Sequence, residues 1–198
     1  MPFLSIYTPT FRRPQRLARC LASVQRQTAV AEIEQFVAVD HVGVGVPGMY
    51  AAVPAYAPAL HGDYVTFLCD DDLLASSDVV ARVKAFAAEQ GMPPLILVAT
   101  RKGAATYPIG RVWPPVECEI DLNCAIVRRD IWQQYAWAYS AKGRYEGDFD
   151  FLEALHKGGI PAVWCPLLFS VGDVSRGVAD ELPTAMDCGA DIPGGGAA

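Results

Sequence analysis

Tyr64-Val65-Thr66-Phe67-Leu68-Cys69-Asp70-Asp71-Asp72-Leu73-Leu74 is the stretch whose reading decides the rest of the chain. Its first six residues are apolar, β-branched or aromatic and are bounded by His61-Gly62-Asp63, a pattern that predicts a buried strand. Three carboxylates follow directly. Adjacent anions at the rim of a core repel one another unless a cation or solvent offsets them. A hard divalent ion with oxygen ligands would do so. The plainer alternative is a solvated strand-to-helix turn with one aspartate as a helix N-cap. The triplet alone does not choose between them.

Working outward, Leu4 to Thr8 predicts an earlier buried strand. Thr8-Pro9-Thr10-Phe11-Arg12-Arg13-Pro14 is then a turn rich in hydroxyls and guanidiniums, with Pro14 suited to the first position of a helix. Leu17, Cys20, Leu21 and Val24 recur at helical spacing and predict an amphipathic helix to about Gln27. Arg19 and Arg26 suit a solvated face, whereas Arg12 and Arg13 stand at the turn, where anions are commonly held. Phe36 to Val39 predicts a second strand ending in Asp40, which is either a ribose or base contact of a nucleotide fold or a turn former. Gly43 to Pro47 is expected to be flexible, and Met49 to Leu60 a helix shortened or kinked by Pro54 and Pro58.

Beyond the triplet, Ser76 or Ser77 is expected to cap a helix bearing Val79, Val80, Val83, Phe86 and Ala87 and ending at Gly91. Leu95 to Ala99 is a further strand. Successive strand–helix–strand units imply a mostly parallel sheet with right-handed crossovers. Thr8-Pro9-Thr10, Asp40 and the acidic triplet all fall at the strands' carboxyl ends, where such sheets place their sites. That convergence favours the metal reading.

The second half is less regular. Arg101 to Pro115 is expected to be a loop, with Tyr107 and Trp113 lining a pocket or merely packing. Glu117 to Val127 resembles a strand with Asp121-Leu122-Asn123 inside it, and a short helix follows from Arg128. Tyr139 to Gly147 is polar and expected to be mobile. Asp148 opens a helix stopped by Gly158-Gly159; it is either an N-cap or a general base. Pro161 to Phe169 is a last apolar segment, and Asp173 in the loop after it offers a further ligand.

Composition sets bounds on this reading. With 198 residues, 52% of them hydrophobic and 19% charged, the chain is expected to form one compact α/β domain over residues 1–186, residues 187–198 being a disordered tail. A net charge of −6 leaves no overall footprint for nucleic acid or an anionic membrane, so nucleic acid is not an expected partner. No signal pattern or membrane-length apolar run is present, and the expectation is a cytoplasmic protein. Six cysteines without a C-x-x-C spacing predict reduced thiols, not zinc ligands or disulfides.

The order of these features resembles the GT-A type glycosyltransferases, and within them the broad family 2. The matching pieces are Leu4 to Arg13 with its helix, Asp40, Gly62 to Asp72, Ala125-Ile126-Val127-Arg128-Arg129-Asp130, and Gly147-Asp148-Phe149-Asp150. The resemblance implies a Rossmann-like, mostly parallel central sheet with helices on both faces. It implies that Thr8, Pro9, Thr10 and Arg13 wall the nucleotide, that Asp40 contacts the base and that Asp70 lies near the ribose. Asp71 then matches the metal ligand of a DXD-like motif, Asp72 a neighbouring or water-mediated ligand, and Asp148 the base that deprotonates the acceptor. Two departures stand out: Cys69 replaces a frequent aspartate, and Ala51-Ala52-Val53-Pro54-Ala55 lacks a frequent arginine–asparagine pair.

The implied reaction moves a sugar from a nucleoside-diphosphate sugar, a UDP-sugar being the first choice, to an acceptor hydroxyl, with Mn²⁺ or Mg²⁺ as cofactor and inversion at the anomeric carbon. The implied partners are the nucleotide sugar and a hydroxyl-bearing acceptor, a saccharide, a lipid-linked group or another. Two rivals stand beside it. One is a non-catalytic nucleotide- or carbohydrate-binding module on a decayed glycosyltransferase frame. The other is a sugar-phosphate nucleotidyltransferase, which would want a glycine-rich phosphate loop where this chain has Thr10-Phe11-Arg12-Arg13.

Overall fold

A computed structural model describes residues 1–109 and 112–172. The expectations placed on Asp173 and on the tail lie outside the described residues. The strands are β1 (Leu4–Thr10), β2 (Ile33–Val39), β3 (Tyr64–Phe67), β4 (Asp72–Leu74), β5 (Leu95–Lys102), β6 (Ala105–Tyr107), β7 (Ala125–Arg128) and β8 (Ala162–Gly172). The helices are α1 (Pro14–Gln25), α2 (Gly45–Tyr56), α3 (Val79–Glu89), α4 (Arg129–Tyr135) and α5 (Gly147–Lys157). One sheet runs β2-β1-β3-β7-β5-β8-β4, with β6 paired to β5.

Strands β2, β1 and β3 are parallel neighbours. β7 is antiparallel to both β3 and β5, so those two share a direction, and β8 is parallel to β5. β4 and β6 run against their partners. The result is a mixed α/β sheet around a parallel frame, whose carboxyl ends share one rim.

Alternation along the strands divides the core in two, because successive side chains leave opposite faces. Leu4, Ile6, Tyr64, Ile96, Val98 and Ile126 pack with Cys20 and Val24 of α1 and with Val79, Val80, Val83 and Ala87 of α3. Tyr7, Val65, Phe67, Leu95, Leu97 and Val127 pack on the other face with Tyr50 and Val53 of α2, Trp132 of α4, and Phe151, Leu152 and Leu155 of α5. Helices therefore cover both faces, each closed by an apolar stripe of the kind the spacing predicted for α1 and α3.

Several local expectations are corrected. Glu117 to Val127 is not a continuous strand: Asp121 caps a 3₁₀-helical turn, Leu122–Cys124, and β7 begins only at Ala125. The Asp121 carboxylate accepts from Asn123 N at 3.0 Å, a local bond that competes with a strand ladder. Helix α2 starts earlier than expected, at Gly45, because Pro47 falls in the first turn, where its missing N–H has no intrahelical acceptor to lose. Neither Ser76 nor Ser77 is the cap of α3. Asp78 holds that position without a side-chain cap bond, and Ser76 Oγ donates to its carboxylate at 2.6 Å.

The stretch expected to be mobile before α5 is tied down. Tyr139 is buried and stacks on Phe151, ring centroids 4.1 Å apart and planes 10° off parallel. Arg144 grips the buried Asp150 carboxylate, with Nη2 2.6 Å from Oδ1.

Candidate active site

Thr10 ends β1, and its hydroxyl donates to Asp70 Oδ2 at 2.6 Å. The chain turns at Arg12, whose φ of 51° lies in the left-handed region. That turn brings Arg13 back over the triplet, where Nη1 donates to Asp70 Oδ1 at 3.0 Å and lies 3.6 Å from Asp71 Oδ2. Asp70 is buried, and that burial raises its pKa against the pull of Thr10 and Arg13. Its carboxylate is thus bound to the β1–α1 loop. Asp71 keeps part of its side chain in solvent, at 18% exposure.

Asp72 is enclosed completely and opens β4, paired with Gly172 at the end of β8. Lys102, the last residue of β5, donates to Asp72 Oδ1 at 2.6 Å and also to Oδ2, while Asn123 Nδ2 donates to Oδ2. Asp121 lies 3.9 Å from the same ammonium. Burial works against the charge on Lys102, but Asp121, Cys69 and Asp72 outweigh it and raise its pKa. Burial lifts the Asp72 carboxyl to about 6, which leaves the pair ionised at neutral pH. Gly172 makes room for this arrangement: a Cβ there would stand 1.9 Å from Asp72 Oδ1 and 2.7 Å from Lys102 Cδ.

Asp148 sits in the first turn of α5, behind Glu146 at the N-cap, so the N-cap reading of Asp148 is corrected. Its carboxylate accepts from Phe149 N at 2.8 Å. Burial, with Asp121 and Glu146 adding repulsion, pushes its pKa up to about 7. The buried Tyr50 feels Asp148, Cys69 and Asp121 together, and the half-exposed Tyr145 feels those three and Asp71. Asp148, Asp121, Cys69 and Asp71 therefore all lie within electrostatic reach of Tyr145. Gly147 permits the close approach of α5, since a Cβ would meet Tyr139 O at 2.4 Å and the Tyr50 ring at 2.5 Å.

Whether these residues suit a divalent ion depends on their donor atoms. Cys69 Sγ and one carboxylate oxygen each of Asp71 and Asp72 lie within 4.8 Å of one another. Burial raises the Cys69 thiol far above its ordinary pKa, so it stays protonated and is a poor ligand for a hard ion. Asp72 is engaged by Lys102 and Asn123. Asp71 is the suitable donor, and Mg²⁺ characteristically takes one or two carboxylates together with water and substrate phosphates. The residues fit an ion held in that manner.

No family model matches this chain, and no curated protein sequence does. Solved structures do. TarS 1-349 of S. aureus, in complex with UDP-GlcNAc, superposes with a TM-score of 0.64 at 14% identity, over 90% of this chain and 60% of that one. The mannosyltransferase PcManGT from Pyrobaculum calidifontis, in complex with GDP-Man and Mn²⁺, gives 0.61 at 12% identity, over 88% and 57%. This is a GT-A fold. The CMP:2-keto-3-deoxy-manno-octonic acid synthetase complexed with CTP gives 0.53 at 11% identity, over 84% of this chain and 90% of that one. The chain spans 37–61% of the length of the TarS chains it matches.

Within the GT-A frame, the expected residues divide by where their side chains go. Asp40 follows β2, and its N–H donates to Thr10 O at 2.8 Å, which places it on the rim beside β1. Its carboxylate accepts from the backbone N–H groups of Val42, Gly43 and Val44 at 2.7–2.9 Å, ordering the segment expected to be flexible. Thr8 is buried, and its hydroxyl accepts from Gln35 Nε2 at 2.9 Å. Pro9, partly exposed, is on the opposite strand face from Thr8 and Thr10. Lys102, Asp121 and Asn123 are site residues that the sequence reading missed. Their partners are Asp72 and one another, and no local pattern marks a lysine whose partner is 30 residues away.

Proposed function

We propose that this chain transfers a sugar from a nucleoside-diphosphate sugar to an acceptor hydroxyl, with inversion at the anomeric carbon. The observation that carries the reading is Asp148: a carboxyl in the first turn of α5 with its pKa pushed up to about 7, within electrostatic reach of the same Tyr145 as Asp71, on a GT-A fold. A base poised near the working pH can take the proton of an attacking hydroxyl, a contribution of roughly 10²–10⁴-fold. Attack opposite the leaving diphosphate inverts the anomeric carbon. Asp71 would hold Mn²⁺ or Mg²⁺, which when bound neutralises charge on the leaving diphosphate. Thr10 and Arg13 fix Asp70 and the wall of the nucleotide side, and Asp40 shapes the loop at its edge. TarS and PcManGT, bound to UDP-GlcNAc and GDP-Man in their structures, make a nucleotide-sugar donor the natural choice. No helix of the described residues is long and apolar enough to cross a membrane.

Thermal shift against UDP-, GDP-, TDP- and CMP-sugars, with and without Mn²⁺ or Mg²⁺, tests this reading. It expects metal-dependent stabilisation by one nucleotide class, largely lost in Asp71→Ala. Absence of such stabilisation for every nucleotide sugar would overturn it in favour of a non-catalytic module.

The nucleotidyltransferase reading is kept as second because the CMP:2-keto-3-deoxy-manno-octonic acid synthetase matches this chain over 90% of its own length. Against it, the β1–α1 loop carries Arg12 and Arg13 without a glycine. Release of inorganic diphosphate from CTP in the presence of a sugar acid would favour it.

A further inference from the structure

We propose that Lys102 withholds Asp72 from any bound divalent ion, so that Asp71 serves as the one ligand of the acidic triplet and the Lys102–Asp72 pair sets the metal affinity. The role of the ion rests on the transferase reading above; the residue assignment rests on geometry.

Asp72 and Asp71 both present oxygens toward Cys69 Sγ, all within 4.8 Å, which by spacing alone makes them equivalent candidates. Their surroundings make them unequal. A carboxylate offers about four lone-pair sites. Lys102 takes one on each oxygen of Asp72, and Asn123 takes another on Oδ2. The carboxylate is 0% exposed and the Lys102 side chain only 19%, so water cannot readily replace either partner. An ion on Asp72 would meet an ammonium already bonded to the same oxygens, and two cations at that separation repel strongly in a site poor in water. Asp70 is likewise committed, to Thr10 and Arg13. Asp71 has Arg13 Nη1 at 3.6 Å, beyond hydrogen-bond reach and already donating to Asp70, and is left as the donor.

The consequence, among the described residues, is a site with too few protein ligands to hold an ion firmly by itself. Metal affinity follows the number of charged ligands. The ion would therefore be bound weakly without nucleotide and firmly only when diphosphate oxygens complete its shell. Gly172 and Asn123 are positioning residues in this scheme, since they seat the Asp72–Lys102 pair without facing the ion.

The test is direct binding of Mn²⁺ alone, followed through the electron paramagnetic resonance signal of the free ion, with folding checked by circular dichroism. Lys102→Met should bind Mn²⁺ at least tenfold more tightly than the unmodified chain, because Asp72 becomes a second ligand. Lys102→Ala, which removes the ammonium with less bulk, should do the same. Adding Asp72→Asn to Lys102→Met should abolish the gain. Adding Asp121→Asn instead should preserve most of it, which separates release of a ligand from a mere change in local charge. Equal or weaker Mn²⁺ binding in the folded Lys102 variants would overturn the proposal, as would a gain erased equally by Asp121→Asn. No nucleotide enters these measurements, so their failure leaves the transferase reading standing, and the failure of that reading leaves them interpretable.

Discussion

Arg13 Nη1 lies 3.0 Å from Asp70 Oδ1, and this ion pair joins the β1–α1 loop to the first residue of the acidic triplet. The Asp70 side chain is 3% exposed and the Arg13 side chain 21%. Removing one partner of a buried pair leaves an uncompensated charge, at a typical cost of about 3–5 kcal/mol. Arg13→Met should therefore lower stability in urea by roughly 3 kcal/mol. Asp70→Asn should cost less, because it strands only the more exposed guanidinium. Equal losses would show that Arg13 acts by packing and not by charge.

Burial pushes the Asp148 pKa up to about 7 from an ordinary 3.8. A carboxyl whose pKa is raised on folding contributes stability that is fully present below pH 3.8 and lost as the pH rises to about 7. Asp148→Asn should thus match the parent in stability near pH 4 and exceed it at pH 8, by on the order of a few kcal/mol. Urea melts at the two pH values measure this.

Catalysis by Asp148 runs in the opposite direction with pH. The base form grows as the pH passes about 7, so transfer should rise across that range. Asp148→Asn should lower transfer by roughly 10²–10⁴-fold while sparing donor binding in the thermal-shift assay. Full transfer by this variant would remove Asp148 from the chemistry.

Gly172→Ala places a methyl group 1.9 Å from Asp72 Oδ1. Overpacking of this kind typically costs about 1–3 kcal/mol. The variant should lose that much in urea and loosen the Lys102 contact. A neutral result would mean that β4 and β8 can part without cost.

Tyr139 stacks on Phe151 and, at 5.7 Å, on Tyr50, so it holds the start of α5 against α2. Tyr139→Ala should cost about 3–5 kcal/mol, as loss of a buried aromatic does. Transfer at a temperature where the variant remains folded should also fall, because the helix that carries Asp148 loses its seat.

The frame was legible where the chain carries continuous or alternating apolar runs: β1, β3 and β5, and the helical stripe of α1, stand close to where spacing predicts them. The strand misread at Glu117 to Val127 failed for a specific reason. Ile120, Leu122 and Cys124 are buried like strand residues, yet Asp121 bends the chain with one side-chain bond. Of the site, the triplet and Asp148 announced themselves as acids beside predicted elements. Lys102 and Asn123 did not, because their significance lies in Asp72, 30 and 51 residues away, and exists only once the sheet is assembled.

β4 is three residues long and has its partner in Ser170, Val171 and Gly172. The acidic turn in the first half of the sequence is therefore completed by the last strand described. A ribosome would release Asp70, Asp71 and Asp72 about a hundred residues before the strand that seats Asp72. Until β8 docks, Asp72 lacks its β4 ladder. Asp72 thus gains its backbone partner only once β8 is made, although Arg13, Lys102 and Asn123, which hold the side chains of Asp70 and Asp72, all precede that strand in the chain.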